Sequence, residues 1–261
     1  MTPSPESSTA PANSAATHEA TRQELLIATI AGLLGGCRHV AVGAVSPIPG
    51  AGALLARARS GGALRVSVLG STRHNFFTNG GVELFDCAAQ GRVDAFFLSG
   101  GQIDGEGNIN LVGTGSYPAT DIRWPGSFGS AYLYFLVPRV ILFREEHSPR
   151  VFVEKVDYIS APGTSEGVAR TGGPYALLTG MALFSFDPAR KRFALRSVHA
   201  GATAAAVRAN TGFSYDAPAD PPQTRAPDET TLAMLRGRVT QELAETYPQF
   251  AELLRGERAA A

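Results

Sequence analysis

Residues 21–69, TRQELLIATIAGLLGGCRHVAVGAVSPIPGAGALLARARSGGALRVSVL, decide the fold class. Residues 21–34 carry a helical pattern. Thr21 stands at the N-cap, Glu24 follows three positions later as a capping box requires, and Gly35-Gly36 stops the helix. HVAVGAV (39–45) is a short β-branched run and reads as a buried strand. SPIPG makes a turn, residues 51–59 a second helix and LRVSVL (64–69) a second strand. Outward from this stretch, 82–90 reads as helix and RVDAFFL (92–98) as strand. Helix and strand thus alternate at the spacing of crossover units. The expected class is α/β, an open, mostly parallel sheet with helices on both faces.

Composition supports one large α/β domain or two small ones. A chain of 261 residues buries roughly 70–75% of its unfolded surface on folding, so it needs no disulfide or metal staple. Lys+Arg and Asp+Glu are both 23, and a net charge of zero argues against a nucleic-acid partner. Lys155 and Lys191 are the only lysines, and neither lies in a phosphate-binding loop motif. Cys37 and Cys87 are too few for a disulfide framework or a four-cysteine zinc site, and each reads as the filler of a small apolar slot. No metal site is expected. No apolar run reaches the roughly 18–20 residues of a membrane span, so no membrane partner is expected. Residues 1–20, rich in Ser, Pro, Ala and Thr, read as a disordered leader rather than a signal peptide, which makes the cytoplasm the expected compartment. The main domain is expected over 21–247 and a flexible tail over 248–261.

From 99 to 130 the chain is dense in Gly, Asn, Asp and Ser, and such a stretch inside a domain is usually a functional surface. Strand-like patterning resumes at 139–143 and 151–153, then at 175–179, 182–186 and 193–198, with Asp187-Pro188 as a turn. Residues 217–226 read as a Pro-rich linker, and a final helix is expected from Asp228 to about residue 245.

Three glycine-containing segments could carry chemistry. SGGQIDGEGNIN (99–110) offers Gly100, Gly101, Gly105 and Gly107 for a backbone cradle, with Gln102, Asp104 and Asn108 beside it. A plain hairpin whose glycines satisfy turn geometry explains the same residues equally well. PGSFGSA (125–131) places Gly126, Ser127 and Gly129 before a helix start, where anions are favoured. VLGSTR (68–73) ends a strand, and ligands of open α/β sheets sit at the carboxyl ends of strands. His74 follows it directly and is the one histidine with a site-like position. His18 falls in the leader, His39 opens a strand, and His147 and His199 read as solvated or locally bonded. Glu145-Glu146 reads as a solvated strand end. No nucleophile elbow is present.

In this order the segments resemble the β subunit of family I CoA-transferases, such as that of glutaconate CoA-transferase. They are less similar to the matching half of succinyl-CoA:3-oxoacid CoA-transferase. The resemblance rests on GGQIDGEGNIN (100–110), PGSFGSA (125–131), RVFVEKVDYISAPG (150–163), LLTGMALFSFD (177–187) and NTGFSYD (210–216), and spans about 25–235. It implies the open α/β fold, an α subunit as partner in an α2β2 assembly, an acyl-CoA substrate and an active site between subunits. It also implies no bound cofactor, with coenzyme A entering as part of the substrate. Gly100, Gly101, Gln102, Asp104 and Asn108 would line the acyl group; Gly126, Ser127 and Gly129 would lie near the thioester or CoA.

True transferases of this family attack the thioester with a glutamate at the end of the strand that matches 64–69. Here that place holds Leu69, and 66–77 contains no Glu, Asp or Cys. A leucine cannot form an acyl anhydride. Ser71, Arg73 and His74 would occupy the vacated place, with the Arg73 fork suited to a substrate carboxylate. The resemblance therefore implies hydrolytic C–C chemistry on an acyl-CoA, closest to the steroid-ring-degrading members. The alternatives are decarboxylation of a dicarboxylic acyl-CoA, true transfer with a carboxyl from elsewhere, and a non-catalytic CoA-binding scaffold.

Overall fold

The structure, a computed structural model, describes residues 19–116 and 118–260. The first helix, α1 (Arg22–Leu33), has the expected capping box: Thr21 Oγ1 accepts from the Glu24 N–H and the Glu24 carboxylate accepts from the Thr21 N–H. Such a cap is worth about 1 kcal/mol. Leu26, Ile27 and Ile30 are fully buried, each contributing roughly 1.5–3 kcal/mol by leaving water. β1 (His39–Val42) follows, buried at every position, as a strand covered on both faces must be.

α2 (Pro47–Arg59) begins four residues earlier than the sequence suggests. Pro-Ile-Pro-Gly is not the turn but the first helical turn, where proline's fixed φ and missing N–H cost nothing. Then come β2 (Arg65–Val68), α3 (Gly80–Ala89) and β3 (Ala95–Leu98). The last strand is shorter than expected at its start, because Asp94 turns its carboxylate onto the N–H groups of Arg38 and His39.

The glycine-rich middle folds as two hairpins, β4 (Gln102–Ile103) with β5 (Ile109–Asn110) and β6 (Gly113–Ser116) with β7 (Ala119–Arg123). α4 (Ser130–Leu136) and β8 (Arg139–Arg144) follow. Residues 151–153 form no strand; they meet the first hairpin through a single bridge between Ile103 and Phe152. β9 (Pro174–Thr179), β10 (Ala182–Asp187) and β11 (Arg192–Val198) fall where the pattern places them. After α5 (Ala204–Ala209), the Pro-rich segment lies along β11, since the Val198 N–H donates to the Pro222 carbonyl and the Thr224 N–H to the Val198 carbonyl.

The expected final helix is α6 (Glu229–Met234), a π turn (Leu235–Val239) and α7 (Thr240–Leu243). The tail expected over 248–261 is corrected: α8 (Pro248–Ala260) is helical and buries Ala251 and Leu254. The leader expected over 1–20 lies almost wholly outside the described residues.

The main sheet has seven strands in the order β11-β10-β9-β8-β3-β1-β2. β2, β1, β3, β8 and β9 run parallel, β10 runs antiparallel to β9, and β11, antiparallel to β10, returns to the direction of the parallel set, so the mostly parallel α/β expectation holds. One face packs an aliphatic core of α1, α2 and the C-terminal helices, centred on Leu54, Leu55, Val66 and Leu235. The other packs an aromatic core with Phe152, Phe184, Phe193, Phe213 and Tyr134. Among the described residues no helix is long and apolar enough to cross a membrane.

Candidate functional site at the carboxyl edge of the sheet

From β1 the chain reaches β2 on one side, and β3 then pairs on the other side of β1. Connections thus leave in opposite directions between β1 and β3, and a crevice opens at the carboxyl ends of such a pair. A cavity of about 280 Å³ lies there. Its walls are residues 45–49 after β1, 97–99 at the end of β3 and 143–145 at the end of β8. Ser46 caps α2 without any side-chain bond to the helix backbone, so its hydroxyl is not committed to the cap. Arg144 pairs with Glu146 at 3.0 Å while its Nε is buried with no partner. Sequence reasoning missed Val45, Ser46, Ser99, Arg144 and Glu145. Their one signal was position: each follows or ends a parallel strand.

The loop after β2 forms the flank of this edge. Gly70 takes φ +89°, a left-handed turn that lets the chain double back, and the His74 carbonyl accepts from the Val68 N–H. Leu69 is half-buried and packs against the aromatic core. Ser71 is buried and accepts from the Arg73 and His74 N–H groups. His74 Nδ1 lies 3.1 Å from Arg57 Nη1, and burial first, then the Arg57 charge, lower the imidazole's pKa. The ring is therefore a neutral acceptor. Arg57 also binds the Glu242 carboxylate at 2.7 Å. Arg73 points into solvent.

The GGQID hairpin starts at the same edge and runs down the aromatic face. Gly100 and Gly101 stay near the carboxyl ends, next to Ser99. At Gly101 a Cβ would stand 2.3 Å from the Trp124 ring, so the indole lies directly on the glycine. This contact brings the first glycine segment against the second. Gly129 is likewise pressed onto Phe85, where a Cβ would meet Cζ at 2.1 Å. Gly126 has φ +104° and Phe128 φ +35°, with Phe128 90% exposed and stacked on Phe85. Ser127 contributes its carbonyl to the Ser130 N–H at the start of α4.

The far end of the hairpin lies elsewhere. Gly107 approaches Pro174 at the amino end of β9, so Asp104 and Asn108 are separated from Ser71 and His74 by the length of the sheet. Asp104 is 3% exposed and accepts from the N–H groups of Glu106, Asn108 and Val156 and from the Asn108 amide. Desolvation raises its pKa, and these bonds partly offset the rise. Gln102 Oε1 accepts from the Asn110 amide and the Asp157 N–H. A cleft of about 950 Å³ opens beside Asp104, Lys155 and Arg192 at this opposite edge. We assign the site to the smaller crevice, because it lies where the strands' carboxyl ends diverge.

Of the two readings open for His147 and His199, the bonded one holds: His147 reaches Thr179 and Thr211, His199 reaches Thr224 and the Thr179 carbonyl, and burial lowers each pKa to about 4. Glu146 is fastened by Arg144 and Arg150, whereas Glu145 lines the crevice.

An open α/β sheet with a switch-point crevice belongs to the architecture in which ligands sit at the carboxyl ends of the strands. Residues 25–210 match the family described as Coenzyme A transferase, and the chain belongs to that family. It is 31% identical over 153 residues to the β subunit of 3-oxoadipate CoA-transferase from Pseudomonas knackmussii, covering 56% of this chain and 58% of that one. To the β subunit of glutaconate CoA-transferase from Acidaminococcus fermentans it is 29% identical over 151 residues, covering 55% and 56%. It is also similar to the cholesterol ring-cleaving hydrolase IpdB subunit of Rhodococcus jostii, at 28% identity over 59% of this chain and 62% of that one. The matched region therefore spans less than two thirds of each of these relatives. The fold matches the crystal structure of Rhodococcus jostii RHA1 IpdAB with a TM-score of 0.72, at 24% identity over 84% of this chain and 94% of that one.

Proposed function

We propose that this chain is the β subunit of a heteromeric CoA-transferase-family enzyme. It acts on an acyl-CoA thioester, by hydrolytic C–C chemistry and without a covalent glutamyl intermediate. The observation that carries the reading is Leu69. It follows β2 directly, half-buried, at the place where the resemblance expects the reactive carboxyl, and residues 66–77 supply no substitute. The carboxylate that does reach this loop, Glu245, accepts from Ser71, Thr72 and Thr246 and is held at a pKa of about 2. Lone pairs committed to that many donors make a weak nucleophile. Gly100 and Gly101 stay beside the crevice, with backbone N–H groups of the kind that can hold a developing oxyanion. The Gly101 N–H itself is taken by the Asn110 carbonyl, which leaves the Gly100 side of the loop for the substrate.

A partner chain is supported by exposed apolar surface. Val82 is 60% exposed, Tyr132 46% and Phe128 90%, and Phe85 lies beneath Phe128 and Tyr132. Grouped exposed aromatics of this kind mark interfaces. CoA thioester enters as substrate, with no further cofactor.

Co-expression with the companion subunit, followed by incubation with acidic acyl-CoAs and then hydroxylamine or borohydride, tests the chemistry. The expected result is turnover with no glutamyl adduct on this chain. A glutamyl thioester trapped on any of its carboxyls would establish transfer instead.

A further inference from the structure

The family match ends at residue 210, yet a segment well beyond that point is fastened to the loops of the carboxyl edge. The stretch from Glu242 in α7 to Tyr247 just before α8 makes three separate attachments there. Glu245 takes the Ser71 hydroxyl at 2.6 Å through Oε2, and the Thr72 N–H at 2.8 Å and Thr72 hydroxyl at 2.7 Å through Oε1. Glu242 takes Arg57, which in turn contacts His74. The Tyr247 hydroxyl donates to the Gly43 carbonyl just after β1, and its ring fills the space in which a Cβ on Gly50 would stand 2.9 Å away. One short segment therefore holds both the loop after β1 and the loop after β2. These are the two loops on either side of the first strand of the crevice.

We infer that Glu245 is a positioning residue: its carboxylate fixes the 69–74 loop, which has no carboxyl of its own, in the conformation that presents the end of β2 to the thioester. The two ends of the loop are fixed by the backbone, since the Leu69 N–H donates to the Val42 carbonyl and the Val68 N–H to the His74 carbonyl. Its exposed middle, Thr72 and Arg73, is held through side chains: the Arg73 and His74 N–H groups donate to the Ser71 hydroxyl, which donates to Glu245. Removing the carboxylate takes away the acceptor of the Ser71 hydroxyl and both bonds that hold Thr72. Thr246 supplies a further donor, from its hydroxyl at 2.6 Å, so the carboxylate is oriented from its own turn as well as from the loop. A charged acceptor with this many short bonds is strong and directional.

The role rests on the acyl-CoA reading, and the experiment separates the two. The full chain with its companion subunit is compared as wild type, Glu245→Ala and Glu245→Gln. Amide hydrogen exchange over 69–75 reads the clamp without any substrate; turnover of 2-oxocyclohexanecarboxyl-CoA, a cyclic β-keto acyl-CoA whose ring C–C bond water can open, reads the role. Glu245→Ala should speed exchange of the Thr72 amide by about tenfold or more. It should lower kcat by about tenfold or more and leave KM within about threefold, because misplacement of a reacting edge costs rate rather than uniform binding. Glu245→Gln, whose amide oxygen still accepts, should recover part of both. If Glu245→Ala does not fold, Thr72→Val removes the hydroxyl contact to the carboxylate while Glu242 and Tyr247 stay in place, and should move the same readouts in the same direction. Faster exchange with unchanged kcat would overturn the positioning role, as would unchanged exchange. A hydroxylamine adduct at Glu245 would make it the nucleophile and overturn it as well. A wild-type complex inert toward acyl-CoA, with the exchange difference intact, would sink the acyl-CoA reading and the role built on it.

Discussion

The turn at Asp104 and the loop at Ser71 are each organised around one carboxylate, and they acquire it by different routes. Asp104 belongs to its own turn. It gathers N–H groups two and four residues ahead, as an Asp at the head of a tight turn does, and reaches Val156 across the hairpin. Glu245 comes to Ser71 and Thr72 from the C-terminal end of the chain. The environments differ as well. Asp104 is 3% exposed and desolvation pushes its pKa up, whereas Glu245 is half-buried and its hydrogen bonds hold it down at about 2. The first network is a buried strut that supports a hairpin. The second is a fastening at the rim, where a loop must hold its shape next to solvent.

The contrast is most easily broken at Asp104. Asp104→Ala strands the buried donors of Asn108 and Val156 and should cost about 3–5 kcal/mol of stability by urea unfolding. A loss under about 1 kcal/mol would mean that the hairpin does not depend on it.

Acid separates the two regions by pH. His147 packs on Phe152, which bridges to the hairpin strand, and both His147 and His199 have folded pKa values lowered to about 4. A lowered histidine pKa favours the neutral form on folding. Its contribution is complete above pH 6.5 and is lost as pH falls toward 4, by at most about 3 kcal/mol for each ring. Glu245 has the opposite kind of group but the same direction: its stability is present above its unfolded value of 4.5 and is lost only as pH falls toward about 2. Exchange measured across about pH 7 to 3 should therefore show the aromatic face loosening first and the Ser71–Glu245 fastening persisting to lower pH. The reverse order would remove the distinction drawn between them.

The smallest effect on stability is expected at Arg73. Arg73→Ala should change stability by less than about 0.5 kcal/mol, since the side chain is exposed. Its measurable consequence is weaker binding of an acidic acyl-CoA, read as a raised Kd for glutaryl-CoA relative to butyryl-CoA. Equal Kd values in wild type and variant would remove Arg73 from substrate recognition.

Much of the fold was legible in the residues themselves. The capping box at Thr21 and Glu24, the β-branched run at 39–45 and the alternation through residue 98 are local signals, and α1, β1, β2 and β3 fall within those stretches, the strands each shorter than the run that signals them. Failures came where a local cue had two meanings. Pro47 can begin a helix as readily as a turn, and only packing of Leu54 and Leu55 into the aliphatic core selects the helix. The 248–260 stretch has a weak apolar pattern, and it becomes helix with Ala251 and Leu254 buried as part of the fold.

The same division runs through the site. Glycines, the end of β2 and the absence of a carboxyl over 66–77 could be read directly, because they are properties of consecutive residues. Which of those residues face one another could not. The structure leaves Gly100 by the crevice, carries Asp104 and Asn108 to the opposite edge, presses Trp124 onto Gly101 and brings Glu245 to Ser71. Spacing along the chain decides helix, strand and turn, since those depend on hydrogen bonds a few residues long. The carboxylate at the rim was decided only when distant helices packed on the sheet, since no local pattern encodes a contact made across 174 positions.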